Sequence, residues 1–192
     1  MMSHLPRLLS AAIAALALTL LAGCANNMKD RAADASVVYG YLDMEDAPTD
    51  LDWLTIHQVK PKTKEPYWHA GVEKLEKGYL FYHYGLPPGT YQVTEFGGQN
   101  SFLIFGGTPH TYSFSRQGRN ESAIEIKKPG VHFMGSFRYK RYKNGFFKAE
   151  TFDIEAIKEH PPHKAMIEEL LLDAPEHPGV QAQLKAAAEK AK

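Results

Sequence analysis

The chain has 192 residues, 44% of them hydrophobic and 23% charged, with 22 Lys and Arg against 22 Asp and Glu and a single cysteine. That length suits one domain of ordinary size, and zero net charge excludes a basic nucleic-acid binder or an acidic solvating tail. One cysteine excludes a disulfide framework and any multi-thiolate metal site, and the apolar fraction is too high for general disorder.

The N-terminus comes first in chain order. Met1–Arg7 is short and ends on a positive charge, and Leu8–Leu21 is an uncharged run rich in Leu and Ala. The run falls short of the roughly 20 residues that span a bilayer as a helix. Its length suits the apolar region of a secretory signal peptide. It closes in Leu21-Ala22-Gly23-Cys24, which resembles the lipobox of a bacterial lipoprotein. The resemblance implies cleavage before Cys24 and lipidation of Cys24 by a thioether-linked diacylglycerol and an N-acyl chain. The chemistry agrees, because small residues at Ala22 and Gly23 fit a peptidase groove and a thiol is the nucleophile that accepts lipid. Ala25 and Asn26 follow, with no Asp beside the lipidated position. By the sorting pattern of enterobacterial lipoproteins, that favours the outer membrane. Residues 1–23 are therefore expected as signal peptide and 24–36, polar and rich in small residues, as a tether.

All the aromatic residues (ten Phe, ten Tyr and two Trp) lie between Tyr39 and Phe152, which places a globular domain over residues 37–152. Its pattern is short β-like runs separated by turn residues. Strands are expected over Val37–Leu42, Trp53–Val59, Tyr79–Tyr84 and Thr90–Phe96, the last stopped by Gly97-Gly98. Three more fall at Ser101–Phe105, His110–Phe114 and Ala123–Ile126. Val131–Tyr142 and Phe146–Phe152 flank Asn144-Gly145, a two-residue hairpin signal that pairs Tyr142 with Phe147 and Phe137 with Phe152. The fold class expected is mainly β, an antiparallel β-sandwich of about seven to nine strands. The run Tyr79–Tyr84 is apolar on both faces, which predicts a central strand covered by sheet on one side and helices on the other.

Residues 153–192 read differently, as a C-terminal helical segment. Asp153–Glu159 suggests one or two helical turns ended by Pro161-Pro162. His163–Asp173 carries an amphipathic pattern on Ala165, Met166, Leu170 and Leu172, and Val180–Lys192 is rich in helix formers. Short C-terminal helices are the result.

The stretch Gly85-Leu86-Pro87-Pro88-Gly89-Thr90-Tyr91-Gln92-Val93-Thr94-Glu95 resembles the Leu-Pro-Pro-Gly-x-Tyr signature of prealbumin-like sandwiches, which include Cna-B-type and carboxypeptidase-regulatory-like domains. Pro-Gly makes a tight turn, and alternation along the next strand agrees with that fold. In Cna-B repeats the corresponding Glu promotes a Lys–Asn isopeptide bond, a role that would fall to Glu95. The first strand here has no lysine to supply the amine, so Glu95 is expected to end a strand facing solvent.

Candidate chemistry is sparse. His160-Pro161-Pro162-His163, with Glu159 beside it and His177 later, is the closest histidine cluster. The prolines prevent a helix aligning the pair and no zinc spacing surrounds it, so these read as loop histidines and no metal is expected. No nucleophile-elbow, zincin, P-loop or dinucleotide motif is present, and no catalytic residue is assigned. The most suggestive surface is the last hairpin. Arg138, Tyr139, Arg141, Tyr142, Lys143 and Phe146 form a basic, aromatic candidate binding patch, with Lys140, Lys148, Lys127 and Lys128 nearby. Such a patch fits cell-wall glycan or another polyanion by stacking and charge; the plainer reading is charge guarding a sheet edge. The function expected is a lipid-anchored, non-catalytic accessory or scaffold subunit of a cell-envelope assembly, facing the periplasm or the cell surface, with an envelope protein as partner. The alternatives are a module binding peptidoglycan or another polyanion and a small hydrolase. No cofactor is expected beyond the lipid on Cys24.

Overall fold

The computed structural model describes residues 35–99, 108–142, 151–174 and 176–191. Nine strands occur among the described residues: β1 (Ser36–Asp43), β2 (Trp53–Lys60), β3 (Tyr67–Lys74), β4 (Tyr79–Leu86), β5 (Gly89–Gln99), β6 (Pro109–Ser113), β7 (Ile124–Ile126), β8 (Val131–Tyr142) and β9 (Thr151–Ala156). A short helix α1 (Arg116–Glu121) precedes β7, and α2 (His163–Asp173) and α3 (Pro178–Lys190) close the chain. The strand order is β6-β5-β2-β3-β4-β1-β8-β9, with β7 also paired to β5.

The protein is mainly β with short C-terminal helices, but the sheet is mixed. Among the described residues every pairing is antiparallel except one: β1 runs parallel to β8, with Val38 opposite His132 and Leu42 opposite Phe137. A parallel neighbour needs a long connection, and here nearly all the other strands supply it. The antiparallel expectation is corrected at this pair. β1 is buried along its whole length, because strands flank it on both edges and side chains cover both its faces.

β3 is the strand that sequence patterning misses. Its half-exposed run Tyr-Trp-His-Ala-Gly-Val-Glu-Lys has no clean alternation. It forms because each half finds a different partner. Residues 67–70 pair with β2, and residues 71–74 pair with β4. A strand that changes partners midway turns a corner in the sheet, and the sheet curls so that its two ends approach. Tyr112 of β6 stands edge-on to Tyr139 of β8 at 5.1 Å and to Phe152 of β9 at 5.0 Å.

The curl encloses a first core, in which Phe81, Tyr91, Phe96, Phe114 and Phe137 are almost wholly buried. A second core lies outside the curl, under the helices. Val37, Tyr39 and Tyr41 of β1 and Leu80 and Tyr82 of β4 meet Met166, Ile167 and Leu170 of α2 and Val180 and Leu184 of α3. Alternation along β4 therefore feeds Tyr79 and Phe81 inward and Leu80 and Tyr82 toward the helices. This is the doubly covered strand its sequence predicts.

Two glycine positions set the strand geometry. Gly135 has φ +119°, and β8 places two residues, Met134 and Gly135, between Phe133 and Ser136 where β1 places one, Gly40, between Tyr39 and Tyr41. The resulting bulge turns Phe133 to the helices but Phe137 to the inner core. Gly97-Gly98 does not stop β5; the strand runs on to Gln99 and pairs with β6. A Cβ on Gly98 would collide with the Asp50 carbonyl, so the absent side chain lets the 50–52 segment cross close above the strand. Glu95 is accordingly exposed but mid-strand.

Three other expectations change. Asp153–Ala156 is strand, so the sheet continues past the boundary expected at Phe152. The last hairpin pairs Arg141 with Phe152, Tyr142 with Thr151 and Phe137 with Ala156, four residues away from the two-residue-turn register. The observed register sets buried Ile154 against buried Tyr139 and places Lys140 opposite Asp153 and Arg138 opposite Glu155. Apolar burial and opposed charge outweigh the local turn preference. An even slip keeps faces unchanged, and Phe152 still lies on the Tyr139 side, stacked on that ring at 5.4 Å. In α2 the buried side is Met166, Ile167 and Leu170, whereas Ala165 is exposed and Leu172 is 82% exposed. The strand expected at Ser101–Phe105 and the turn at Asn144-Gly145 lie outside the described residues.

Candidate functional site

The expected binding patch divides across the two faces of β8. Tyr139 is 4% exposed and belongs to the first core. Arg138 leaves the other face, and its Nε donates to Asp43 Oδ2 at 2.8 Å. Lys140 Nζ donates to both carboxylate oxygens of Glu155, at 3.0 and 3.3 Å. The Tyr142 hydroxyl donates to the same carboxylate at 2.9 Å. Those bonds, Lys140 first, hold the Glu155 carboxyl below the usual carboxylate range. Arg141 is exposed, while Cys24, Lys143 and Phe146 lie outside the described residues. Alternation separates residues that the sequence places side by side, and carboxylates from β1 and β9 lie against the cations.

A cleft lies at the C-terminal end of β1, and of the expected patch Arg138 lines it. The cleft measures about 910 Å3 and is walled by the 43–50 loop, the β3–β4 turn and the segment leading into α2. Its floor carries Tyr41, Met44, Tyr79 and Met166. Six carboxylates line it (Asp43, Glu45, Asp50, Glu76, Glu159 and Glu169) against Lys74, Lys77 and Arg138. Asp50 sits at one wall, where its Oδ1 accepts from the Tyr79 hydroxyl and, at 2.9 Å, from Lys74 Nζ. The tyrosine bond first and the lysine bond second keep the Asp50 carboxyl low. With Asp43 and Asp50 so engaged, the remaining carboxylates give the cleft an acidic excess. No group of three or more metal-ligating side chains occurs among the described residues.

The histidines of the Pro-Pro segment come together despite the prolines. Pro162 precedes the first turn of α2, and His163 opens the helix. The two rings lie 4.7 Å apart, both against Phe133 of β8. His163 Nδ1 stands 2.9 Å from the Tyr39 hydroxyl. The segment is held by aromatic neighbours on the sheet, a signal absent from local spacing because Tyr39 is 124 residues away. His177 is separate: its Nδ1 accepts from the Gly179 N–H at 3.2 Å and caps α3.

Tyr91, in the Leu-Pro-Pro-Gly-x-Tyr stretch, is fully buried and its hydroxyl donates to the Pro87 carbonyl at 2.7 Å. Burial pushes its pKa up to about 12. The residue closes its own turn. No helix among the described residues is long and apolar enough to cross a membrane. Comparison with protein-family models, with curated proteins and with solved structures finds no match to this chain.

Proposed function

We propose that the protein is a lipid-anchored, non-catalytic accessory subunit of a cell-envelope assembly, tethered through acylated Cys24 to the outer membrane and offering its acidic cleft to a protein partner. The supporting observation is the polarity of β1. Its first residue, Ser36, and Ala35 just before it are buried, and the Ala35 carbonyl accepts from Gln183 Nε2 of α3 at 2.9 Å. Its other end, at Tyr41 and Asp43, forms the cleft. Eight strand residues at about 3.3 Å each put roughly 25 Å between the two ends. A chain anchored upstream of Ala35 thereby holds the cleft at the end of the strand opposite its attachment. Several acyl chains, at about 0.8 kcal/mol for each buried methylene, make such an anchor effectively permanent. The body itself we read as a prealbumin-like sandwich turned into a curl at β3, a reading supported by the buried Tyr91 at the Pro-Pro-Gly turn.

The test has two arms. Cys24→Ser should abolish acyl labelling and release the chain from membranes; retention of the variant in the membrane fraction would overturn the anchor. A photo-crosslinking residue in place of Lys77, in the cleft, should capture one dominant protein partner in intact cells. The same residue in place of Glu121, outside the cleft, should not. Equal capture from both positions, or recovery with peptidoglycan fragments alone, would overturn the docking role.

A further inference from the structure

The chain is neutral as a whole, yet its charge is divided between the two ends of β1. Two lysine-bearing loops gather where β1 begins, at the end opposite the cleft. Lys60 of β2 and Glu125 of β7 both stand opposite Thr90 of β5, one on either side. They therefore lie about 10 Å apart across three strands. From Lys60 the chain enters the 61–66 loop, which carries Lys62, Lys64 and Glu65; beyond Glu125 it reaches Lys127 and Lys128. The start of β1 touches this second segment. The Ser36 hydroxyl lies 3.5 Å from the Lys128 carbonyl, and the Val37 N–H donates to the Gly130 carbonyl at 2.9 Å. Five exposed lysines thus crowd this end against two carboxylates, Glu65 and Glu125. Among the described residues only Lys127 of the five is ion-paired, to Glu125 at 3.1 Å. We propose that this end is a docking surface for the anionic phospholipid headgroups of the membrane that holds the anchor, and that it turns the cleft away from the bilayer.

The inference rests on the anchor argued above and adds what an acylated cysteine does not supply. Ten residues, Ala25–Asp34, separate Cys24 from Ala35, and ten residues reach at most about 35 Å. That exceeds the roughly 25 Å length of β1, so the lipid alone would let either end of the domain meet the membrane. Charge decides between them. An anionic leaflet favours each lysine near its surface by a factor of about five, and the attraction fades beyond a Debye length of about 8 Å. The headgroups therefore act on the nearer end and scarcely on the other. With the lysine end down, five cations and two carboxylates face the lipid phosphates. With the cleft down, six carboxylates and three cations would face them. Two of those three cations, Lys74 and Arg138, are already bonded to Asp50 and Asp43. The exit of the anchored chain from the lysine end favours the bilayer over peptidoglycan or a soluble polyanion. The lysines are also held in place. Pro61 and Pro66 bracket Lys62 and Lys64, Pro129 follows Lys128, and the Gln58 N–H closes the first loop on the Pro66 carbonyl at 2.7 Å. Such loops have less backbone freedom to lose on docking.

The experiment is lysine footprinting on the full acylated chain, reconstituted into vesicles of phosphatidylcholine alone or with about one-third phosphatidylglycerol. Acetylation by a water-soluble reagent is read residue by residue in mass spectra, with Lys77 in the cleft as the internal control. On the anionic vesicles, acetylation of Lys62, Lys64, Lys127 and Lys128 should slow at least about fivefold. Lys77 should react as it does on neutral vesicles. Raising the salt from about 0.05 M to about 0.5 M should restore the lost reactivity. Lys62→Gln combined with Lys64→Gln, both in an exposed loop, should return Lys127 and Lys128 to near their neutral-vesicle reactivity although neither is altered. Equal reactivity on the two vesicles, an equal slowing at Lys77, or a slowing that survives high salt would each overturn the docking surface. So would protection of Lys127 and Lys128 that persists in the double variant, or protection by peptidoglycan sacculi in place of vesicles. The same spectra report on Cys24. An acylated Cys24 with unprotected lysines overturns the orientation and leaves the anchor standing, whereas an unmodified Cys24 overturns the anchor and this inference with it.

Discussion

The two cores share β1 and β4 yet hold together by different physics. Inside the curl, aromatic rings interlock: Phe114 stands edge-on to Phe96 at 5.6 Å and to Phe137 at 5.2 Å, a geometry favoured by ring quadrupoles. Under the helices, the tyrosines of β1 and β4 work through their hydroxyls. Tyr39 reaches His163, Tyr82 reaches Asp173, Tyr84 donates to the Leu170 carbonyl, and Tyr41 donates to the Lys77 carbonyl. Three of those four ties end on α2. The inner core depends on close packing contributed by strands from every part of the sheet. The helical layer rests on a few apolar anchors and a set of directed bonds, each of which a single deleted oxygen can remove. A layer attached in this way is expected to open as a unit of its own.

The largest expected effect tests the inner core. Phe81 is fully buried and lies against Gly40 on the neighbouring strand. Phe81→Ala should cost about 3–5 kcal/mol, and urea unfolding should show strand and helix signals lost together at a much lower midpoint. Next comes Leu170→Ala in α2, 1% exposed in the unmutated protein, with an expected cost of about 3 kcal/mol. Here the loss should be confined: helical protection falls and tryptic nicking of α2 and α3 begins, while protection on β2 and β5 is retained. If Leu170→Ala instead moves every probe equally, the two cores form one cooperative unit and the contrast between them fails.

How far the sequence reveals this arrangement depends on the range of the forces involved. β1, β2, β4 and β8 were legible because apolar runs bounded by turn residues report local burial. The double covering of Tyr79–Tyr84 was legible for the same reason. β3 was not, because its two half-registers exist only once β2 and β4 are in place. The hairpin register was misread because Asn144-Gly145 is a local preference, whereas the observed pairing answers to Ile154, Tyr139 and the charges of Asp153 and Glu155. The parallel β1–β8 pairing and the His163–Tyr39 contact join residues about ninety or more positions apart, and no local spacing encodes them. The cleft was invisible likewise: its carboxylates come from three separate stretches of chain. Of the expected patch, the sequence supplied the residues but not their alternation, which buries Tyr139 and leaves Arg138 on the opposite face.

The smallest effects sharpen the contrast most, because each deletes one atom. The Tyr82 hydroxyl donates to Asp173 Oδ2 at 2.5 Å. Asp173 is the last residue of α2, in a final turn that carries no basic residue, where the negative end of the helix dipole repels a carboxylate. The phenol offsets that repulsion. Burial first, and Asp173 second, raise its pKa well above the usual tyrosine range, so it remains a donor throughout the physiological range. Tyr82→Phe keeps the ring in the second core and removes only the bond, for an expected loss of about 1.5 kcal/mol. Amide exchange at Leu171, Leu172 and Asp173 should quicken by roughly tenfold, with the inner strands unchanged. Tyr84→Phe, which deletes a neutral bond to the Leu170 carbonyl, should cost less, about 1 kcal/mol. Unchanged exchange at the end of α2 in Tyr82→Phe would mean that the hydroxyl ties contribute nothing and that apolar anchors alone dock the helices. In that case both cores would be held in the same way, and the layer would have no polar seam along which to open.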